Sequence, residues 1–177
     1  MSDALVDHGR SLVVTSRLVL RRPEASDAQA MMEIHNHPDV RRGIIGHPPP
    51  GDITVAWKNI ALMLGHWHLR DYGPWIVVER ASAEIVGSIG VWNPEGGPGL
   101  ELGWVIRRSR WNQGFATEAA QAALRWIWQH VGEDHVVSII DAENCMSCRV
   151  AEKIGERLER MQVVNGTEAK VYGVSRS

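Results

Sequence analysis

Two residues, Glu101 and Ser147, have the types and surroundings needed to take and give protons, and the residues between them are of the kind that hold phosphate. Glu101 opens the run ELGWVI. Leu102, Trp104 and Ile106 fall on one side of it and Glu101, Gly103 and Val105 on the other, the period of two that marks a strand. Gly103 leaves space beside the carboxylate. A glutamate at the edge of a partly dry pocket has its pKa raised toward neutrality, where it works as a base directly or through water. The plainer reading is a solvated strand residue or an arginine's ion-pair partner. Arg107, Arg108 and Arg110 follow, then Asn112 and Gly114, and then a helix from Ala116 to Val131 in which Ala119, Ala123, Leu124 and Ile127 recur at three- and four-residue steps. The first amides of a helix lack partners within it, and the helix dipole favours an anion there. The N–H groups of Gln113, Gly114, Phe115, Ala116 and Thr117 are therefore candidates to hold a diphosphate, with Asn112 at the head of the turn. Gly114 permits close backbone approach, the Thr117 hydroxyl adds a bond, and Arg110, less directly Arg107 or Arg108, meets further phosphate.

Ser147 belongs to a second stretch, DAENCMSCRVAEKIG, from Asp141 to Gly155. Asn144 can cap a helix there, with Ser147 on its first turn. A cap or packing serine is the plainer reading of Ser147. Cys145 and Cys148 have CxxC spacing at a helix start, but the surrounding pattern is not thioredoxin-like, and small, weakly polar packing residues explain them. His35 and His37, and His66 and His68, are each two apart and would face different directions on a helix, so no metal is expected.

WNQGFATEA resembles the pyrophosphate loop of the GNAT superfamily of acetyl-CoA-dependent N-acyltransferases, which usually reads Gln/Arg-x-x-Gly-x-Gly/Ala. Ser109 and Asn112 stand at the first Gln/Arg and first Gly positions, while Gly114 and Ala116 match. Asn144, Ser147 and EKIG are similar to the helix after the next strand in these enzymes. Together the motifs are most similar to the branch that acetylates N-terminal amines of ribosomal proteins, and the resemblance runs from about Arg17 to Val174. It implies a cofactor arm lying between splayed fourth and fifth strands, its pantetheine paired with the backbone of Val105 and Ile106 and held by the Asn144 side chain. The backbone near Ile106 becomes an oxyanion donor, Glu101 the base and Ser147 the acid for the leaving thiolate. Many members instead carry a Tyr seven residues after the Asn, a position filled here by Ala151; Tyr72 is a distant substitute. The implied reaction is direct acetyl transfer, in a ternary complex with acetyl-CoA, to a primary amine on a protein N-terminus or a small molecule. A second class stays open: an inactive CoA-binding sensor, motivated by Asn112 and Ala151. Dimers are common in the family, and the final hairpin offers an edge for a homodimer.

The rest of the chain supplies positioning elements. With 177 residues and a net charge of −2, it is expected to form one domain over 16–177 after a loose tail at 1–15 with room for a short extended piece at Leu12 to Val14, and not to be a generally basic nucleic-acid binder. Polar MSDALVDHGR is not a signal peptide and no apolar run reaches a membrane span, so a cytoplasmic protein is expected. Most of the eight Trp should be core, although Trp57, Trp67, Trp75 and Trp92 are also candidates for an acceptor pocket. RLVLRR, WIVVE and IVGSIGVW read as strands before ELGWVI, with Gly87 and Gly90 marking a bulge or close approach. Two helices, from Ala28 to Pro38 and from Thr54 to Leu69, flank GIIGHPPPGDI, a wall or lid for the acceptor. HVVSII, the Asn144 helix and a hairpin turning at Asn165-Gly166 close the order. Strand, helix, strand makes ELGWVI and HVVSII parallel. The fold class is α+β, a three-layer α/β arrangement: a mixed, mostly antiparallel sheet with helices on both faces.

Overall fold

The structure, a computed structural model, describes residues 11–96 and 99–176. β1 (Val13–Val14) and β2 (Leu18–Arg21) lead into α1 (Ala28–Asn36), α2 (Pro38–Arg42) and α3 (Ile53–Arg70). A meander follows: β3 (Trp75–Glu79), β4 (Ile85–Trp92) and β5 (Glu101–Ile106). Then come α4 (Phe115–His130), β6 (His135–Asp141), α5 (Cys145–Lys153), β7 (Arg157–Val164) and β8 (Thr167–Ser175). The strands form one sheet in the order β1-β2-β3-β4-β5-β6-β8-β7, antiparallel except for β5 against β6. This is the expected mixed sheet. The strands foreseen as fourth and fifth are β5 and β6, because β1 precedes them.

Residues 1–10 of the expected tail lie outside the described residues, as do residues 97 and 98 of the turn before β5. Within residues 11–15 the extended piece is present as β1. Val13 and Val14 pair with β2, and Trp75 Nε1 donates to Ser11 O at 2.8 Å. The chain does not stay irregular after α1. Pro38 takes the first position of α2, where its missing N–H costs nothing, and His37 Nδ1 caps it by accepting from the Asp39 N–H at 3.2 Å.

Two cores cover the two faces of the sheet. α4 buries Ala119, Ala123 and Ile127 against one face, with Leu102 and Ile106 of β5. α1 and α3 bury Met31, Ile34, Ile60 and Met63 against the other, over Ile76 and beside Trp92 and Val105. Trp67, Trp75 and Trp126 meet edge to face with centroids 5.0 to 6.0 Å apart.

The sheet opens between β5 and β6. The two strands match only at Glu101 and Val137, where the Val137 N–H donates to Leu100 O at 2.9 Å. One residue on, the Ser138 hydroxyl reaches Leu102 O at 2.7 Å in place of a backbone amide. Ser138 Oγ also lies 2.9 Å from Glu156 Oε1, and a hydroxyl has one proton. One proton cannot serve both acceptors at once, and protonation of Glu156 relieves the shortage. Burial at 2% exposure pushes Glu156 up to about 7, with Glu159 adding to the rise and the Ser138 bond opposing it. A raised carboxyl contributes stability that is fully present below its unfolded value near 4.5 and is lost as pH rises through about 7. Glu156→Gln keeps a donor and removes the charge. It should stabilise the protein at pH 8 by up to roughly 3 kcal/mol and give no gain at pH 4.5, read from denaturant midpoints. An equal effect at both pH values would show that Glu156 is not protonated by its burial.

Candidate active site

Two cavities meet at the opening. The smaller, about 480 Å³, lies under α1 and α3 and takes in Glu101, Gly103 and Trp92. The larger, about 750 Å³, lies along the start of α4 and α5 and takes in Asn112, Gly114, Phe115, Ala116 and Thr117. Gly43, Ile44, Trp104, Val105, Asn144 and Ser147 line both. Each volume is in the range of small-molecule sites.

The turn before α4 is built from left-handed residues. Gly114 has φ +80 and Asn112 φ +60. Asn is the non-glycine residue that tolerates this region best, so Asn112 keeps the backbone path that a glycine would take there. Glu118 is the first helix amide with a backbone acceptor, Gly114 O at 3.0 Å; those of Phe115, Ala116 and Thr117 precede it. Arg17 braces the turn. Its Nη1 donates to Gln113 O at 2.8 Å, its guanidinium stacks on Phe115 at 4.5 Å, and it pairs with Glu118 at 2.6 Å. Burial pushes the Glu118 carboxyl up, but bonds from Thr15, Arg17 and Ser16 outweigh it and hold the group below its ordinary value.

Arg110 lines the larger cavity and is ion-paired there. Its Nη2 bonds Glu79 at 2.7 Å and Glu84 at 3.2 Å. Arg108 bonds Asp39 at 2.8 Å and stacks on Trp111. Arg149 and Lys153 of α5, exposed at the larger cavity, have no acidic partner among the described residues. Sequence reasoning missed them because the acids that occupy Arg108 and Arg110 come from remote segments.

The strand's alternation also corrects the expected cofactor ladder. Val105 pairs with Ser88, its carbonyl faces β4 at Gly87, and Arg107 N–H donates to Val86 O at 2.7 Å. Odd-numbered residues of β5 thus turn their backbone toward β4, and even-numbered ones toward the opening. Leu102 O is taken by Ser138, and Ile106 O by Trp111 Nε1 at 2.7 Å. Trp104, not Val105, is left with backbone groups toward the opening. Val105 contributes its side chain.

Asn144 caps α5, its Oδ1 accepting from the Ser147 N–H at 3.1 Å, and its Nδ2 donates to Gly43 O at 3.0 Å. Both ends of the amide are thus engaged within the protein, and the α2–α3 segment is tied to the cleft. Ser147 Oγ accepts from Trp104 Nε1 at 3.3 Å, which leaves its own proton free to donate. Ala151 is fully buried, and Tyr72 lines neither cavity. Glu101 has no hydrogen-bond or ion-pair partner among the described residues, and burial pushes its carboxyl up. Glu101 and Ser147 approach from opposite faces of the sheet, since Glu101 shares the Val105 face and α5 packs with Trp104. They share one cavity because the sheet is not closed between β5 and β6. Of the four tryptophans weighed for the acceptor pocket, Trp92 alone lines it.

Residues 17–157 match the family model of the acetyltransferase (GNAT) domain. The chain belongs to the GNAT acetyltransferase family. It is an N-acetyltransferase. It is 30% identical over 156 residues to the uncharacterised Bacillus subtilis protein YkkB, covering 84% of this chain and 86% of that one. It is 29% identical over 147 residues to the uncharacterised N-acetyltransferase YnaD of Bacillus subtilis, covering 83% of each. An acetyltransferase from Agrobacterium tumefaciens superposes with a TM-score of 0.82 at 28% identity, covering 93% of this chain and 94% of that one. RimL, the ribosomal L7/L12 alpha-N-protein acetyltransferase solved with coenzyme A, superposes with a TM-score of 0.77 at 16% identity, covering 93% and 97%; this likeness is of fold. No described helix is long and apolar enough to cross a membrane, and no group of three or more metal-binding side chains converges among the described residues.

Proposed function

We propose that this GNAT member transfers the acetyl group of acetyl-CoA to a primary amine by direct attack in a ternary complex. The observation that carries this is the meeting of two cavities at the β5–β6 opening, with Glu101 in one, the α4 amides in the other, and Ser147 in both. The larger cavity takes the cofactor. The amides from Gly114 to Thr117 meet its diphosphate, Arg149 and Lys153 meet its nucleotide phosphate, and Trp104 meets its pantetheine. The ammonium gives a proton to Glu101, its nitrogen attacks the thioester carbonyl, the C–S bond breaks, the thiolate takes the Ser147 proton, and the second proton shed by the nitrogen as it becomes an amide restores the serine hydroxyl. An amide and free CoA leave. Alignment of the two bound reactants supplies much of the rate. The solved RimL complex with coenzyme A supports the cofactor assignment. The sensor alternative rested partly on Asn112, and its left-handed backbone leaves the turn's shape intact.

Thiol release from acetyl-CoA over a panel of amines and N-terminal peptides tests the reading; CoA binding without turnover for any acceptor would favour the sensor. Ser147→Ala should lower kcat roughly 10²-fold, with KM for acetyl-CoA little changed. An unaltered kcat would remove Ser147 from the chemistry.

A further inference from the structure

The smaller cavity is lined mainly by apolar side chains. Its floor is the β4–β5 face where Gly90 and Gly103 carry no side chain, with Trp92 and Val105 beside them and Glu101 at one end. A Cβ placed on Gly103 would meet nothing within 4 Å, so the floor there is hollow. Its roof is Met31, Ile60 and Met63 of α1 and α3. Its third wall is the segment after α2, including Ile44 and Pro48. That segment is pinned at three points: Asn144 Nδ2 on Gly43 O, His47 Nε2 at 3.2 Å from Asp141, and a reciprocal pair between Asn36 and the Gly51 backbone at 2.7 and 2.9 Å. At the mouth, Val55 and Leu62 of α3 are exposed and apolar.

The charged and titratable side chains around this space are Glu101, His35, Arg41 and Asp52. Arg41 spends its Nε on Pro48 O at 2.9 Å, on the exposed side. Asp52 is exposed and caps α3 by accepting from the Val55 N–H. At depth this leaves the Glu101 carboxyl and His35, whose Nε2 is buried without a partner and which burial holds below its ordinary pKa, hence neutral. No buried cation waits for a carboxylate or phosphate on the acceptor. The single deep carboxyl is occupied by the reacting amine, so a second ammonium has no deep partner. A peptide would lay several backbone amides against a lining that is mainly apolar at depth.

We infer that the acceptor is a compact primary amine on an uncharged, apolar body, seated between α1, α3 and the hollow over Gly103, with its nitrogen at Glu101; this rests on the acetyl transfer proposed above. An amino acid, a polyamine or a polypeptide N-terminus is disfavoured by unpaired charge or unpaired backbone.

The experiment compares 2-phenylethylamine, phenylalanine, spermidine and a serine-initiated hexapeptide as acceptors for the intact enzyme at saturating acetyl-CoA, by thiol release. The first two differ by one carboxylate. kcat/KM for 2-phenylethylamine should exceed that of each other acceptor by at least about tenfold. Gly103→Val, whose side chain enters open space, should raise KM for 2-phenylethylamine by about tenfold or more while CoA binding by calorimetry stays unchanged. Equal or faster turnover of phenylalanine, spermidine or the peptide, or an unchanged KM in a folded Gly103→Val, overturns the acceptor class and leaves the acetyl transfer standing. Binding of CoA with no amine of any class acetylated overturns both.

Discussion

Glu101→Gln should lower kcat/KM for the amine about 10²- to 10⁴-fold and remove one limb of the pH–rate profile. The acceptor must lose a proton before its nitrogen can attack, and Glu101 is the carboxyl at the end of the acceptor cavity without another partner. Burial raises its pKa above the ordinary value near 4.5. The base works ionised, so activity falls as pH drops through this raised value, and the limb lies on the acidic side. Gln has nearly the same shape and cannot take the proton. The limb should disappear from the kcat profile, which reports the ternary complex, and only the slope due to the amine's own ionisation should remain in kcat/KM. KM for acetyl-CoA should stay within a few-fold, because the cofactor is proposed to occupy the other cavity. A Glu101→Gln profile that overlays the wild-type one, with comparable rates, would show that another group or solvent takes the proton.

Much of this site can be read from residue order, and the part that cannot has a physical reason. The alternation of ELGWVI gives a strand and separates Glu101 from Trp104 correctly. It does not say which neighbour pairs on which side, and this is why Val105 was expected to face the cofactor when its carbonyl faces Gly87. Gly114 before a helix marks the left-handed turn into α4 from local chemistry alone. The partners of Arg108 and Arg110 come from Asp39, Glu79 and Glu84, and no local pattern ties those positions together. Pro38 reads as the end of one helix, yet it starts the next, because the first helical position tolerates a missing N–H. Arg17 and Thr15 read as strand entry and tail. Their hold on Glu118, at 2.6 Å each, is a tertiary contact between segments far apart in sequence. The Ser138–Glu156 pair at the opening was missed for the same reason, although a serine inside the apolar run HVVSII was a signal available to find it.

Gly87→Ala should be the most destabilising single-methyl change in the sheet, by at least about 3 kcal/mol, lowering the melting temperature by roughly 6–12 °C. Gly87 faces Ile106 across the β4–β5 ladder, beside the register shift between Val77 and Val78. A Cβ there would stand 2.0 Å from Val105 O and 3.0 Å from Ile106 Cα. Both are backbone atoms of a paired strand, so no side-chain rotation relieves the clash. The ladder must part where β5 turns its other edge toward the opening, and the loss should therefore reach CoA binding through Trp104. Gly103→Ala is the matched control. It lies on the adjacent strand, and its Cβ would meet nothing within 4 Å. Glycine-to-alanine changes share the same gain from a less flexible unfolded chain, about 0.4–1 kcal/mol. The difference between the two variants therefore isolates the contact with Val105 O. Thermal melts and CoA titrations of both variants measure it. If Gly87→Ala melts within about 2 °C of Gly103→Ala, below the shift expected from 1 kcal/mol, the approach of β4 to β5 does not set the position of the cofactor strand.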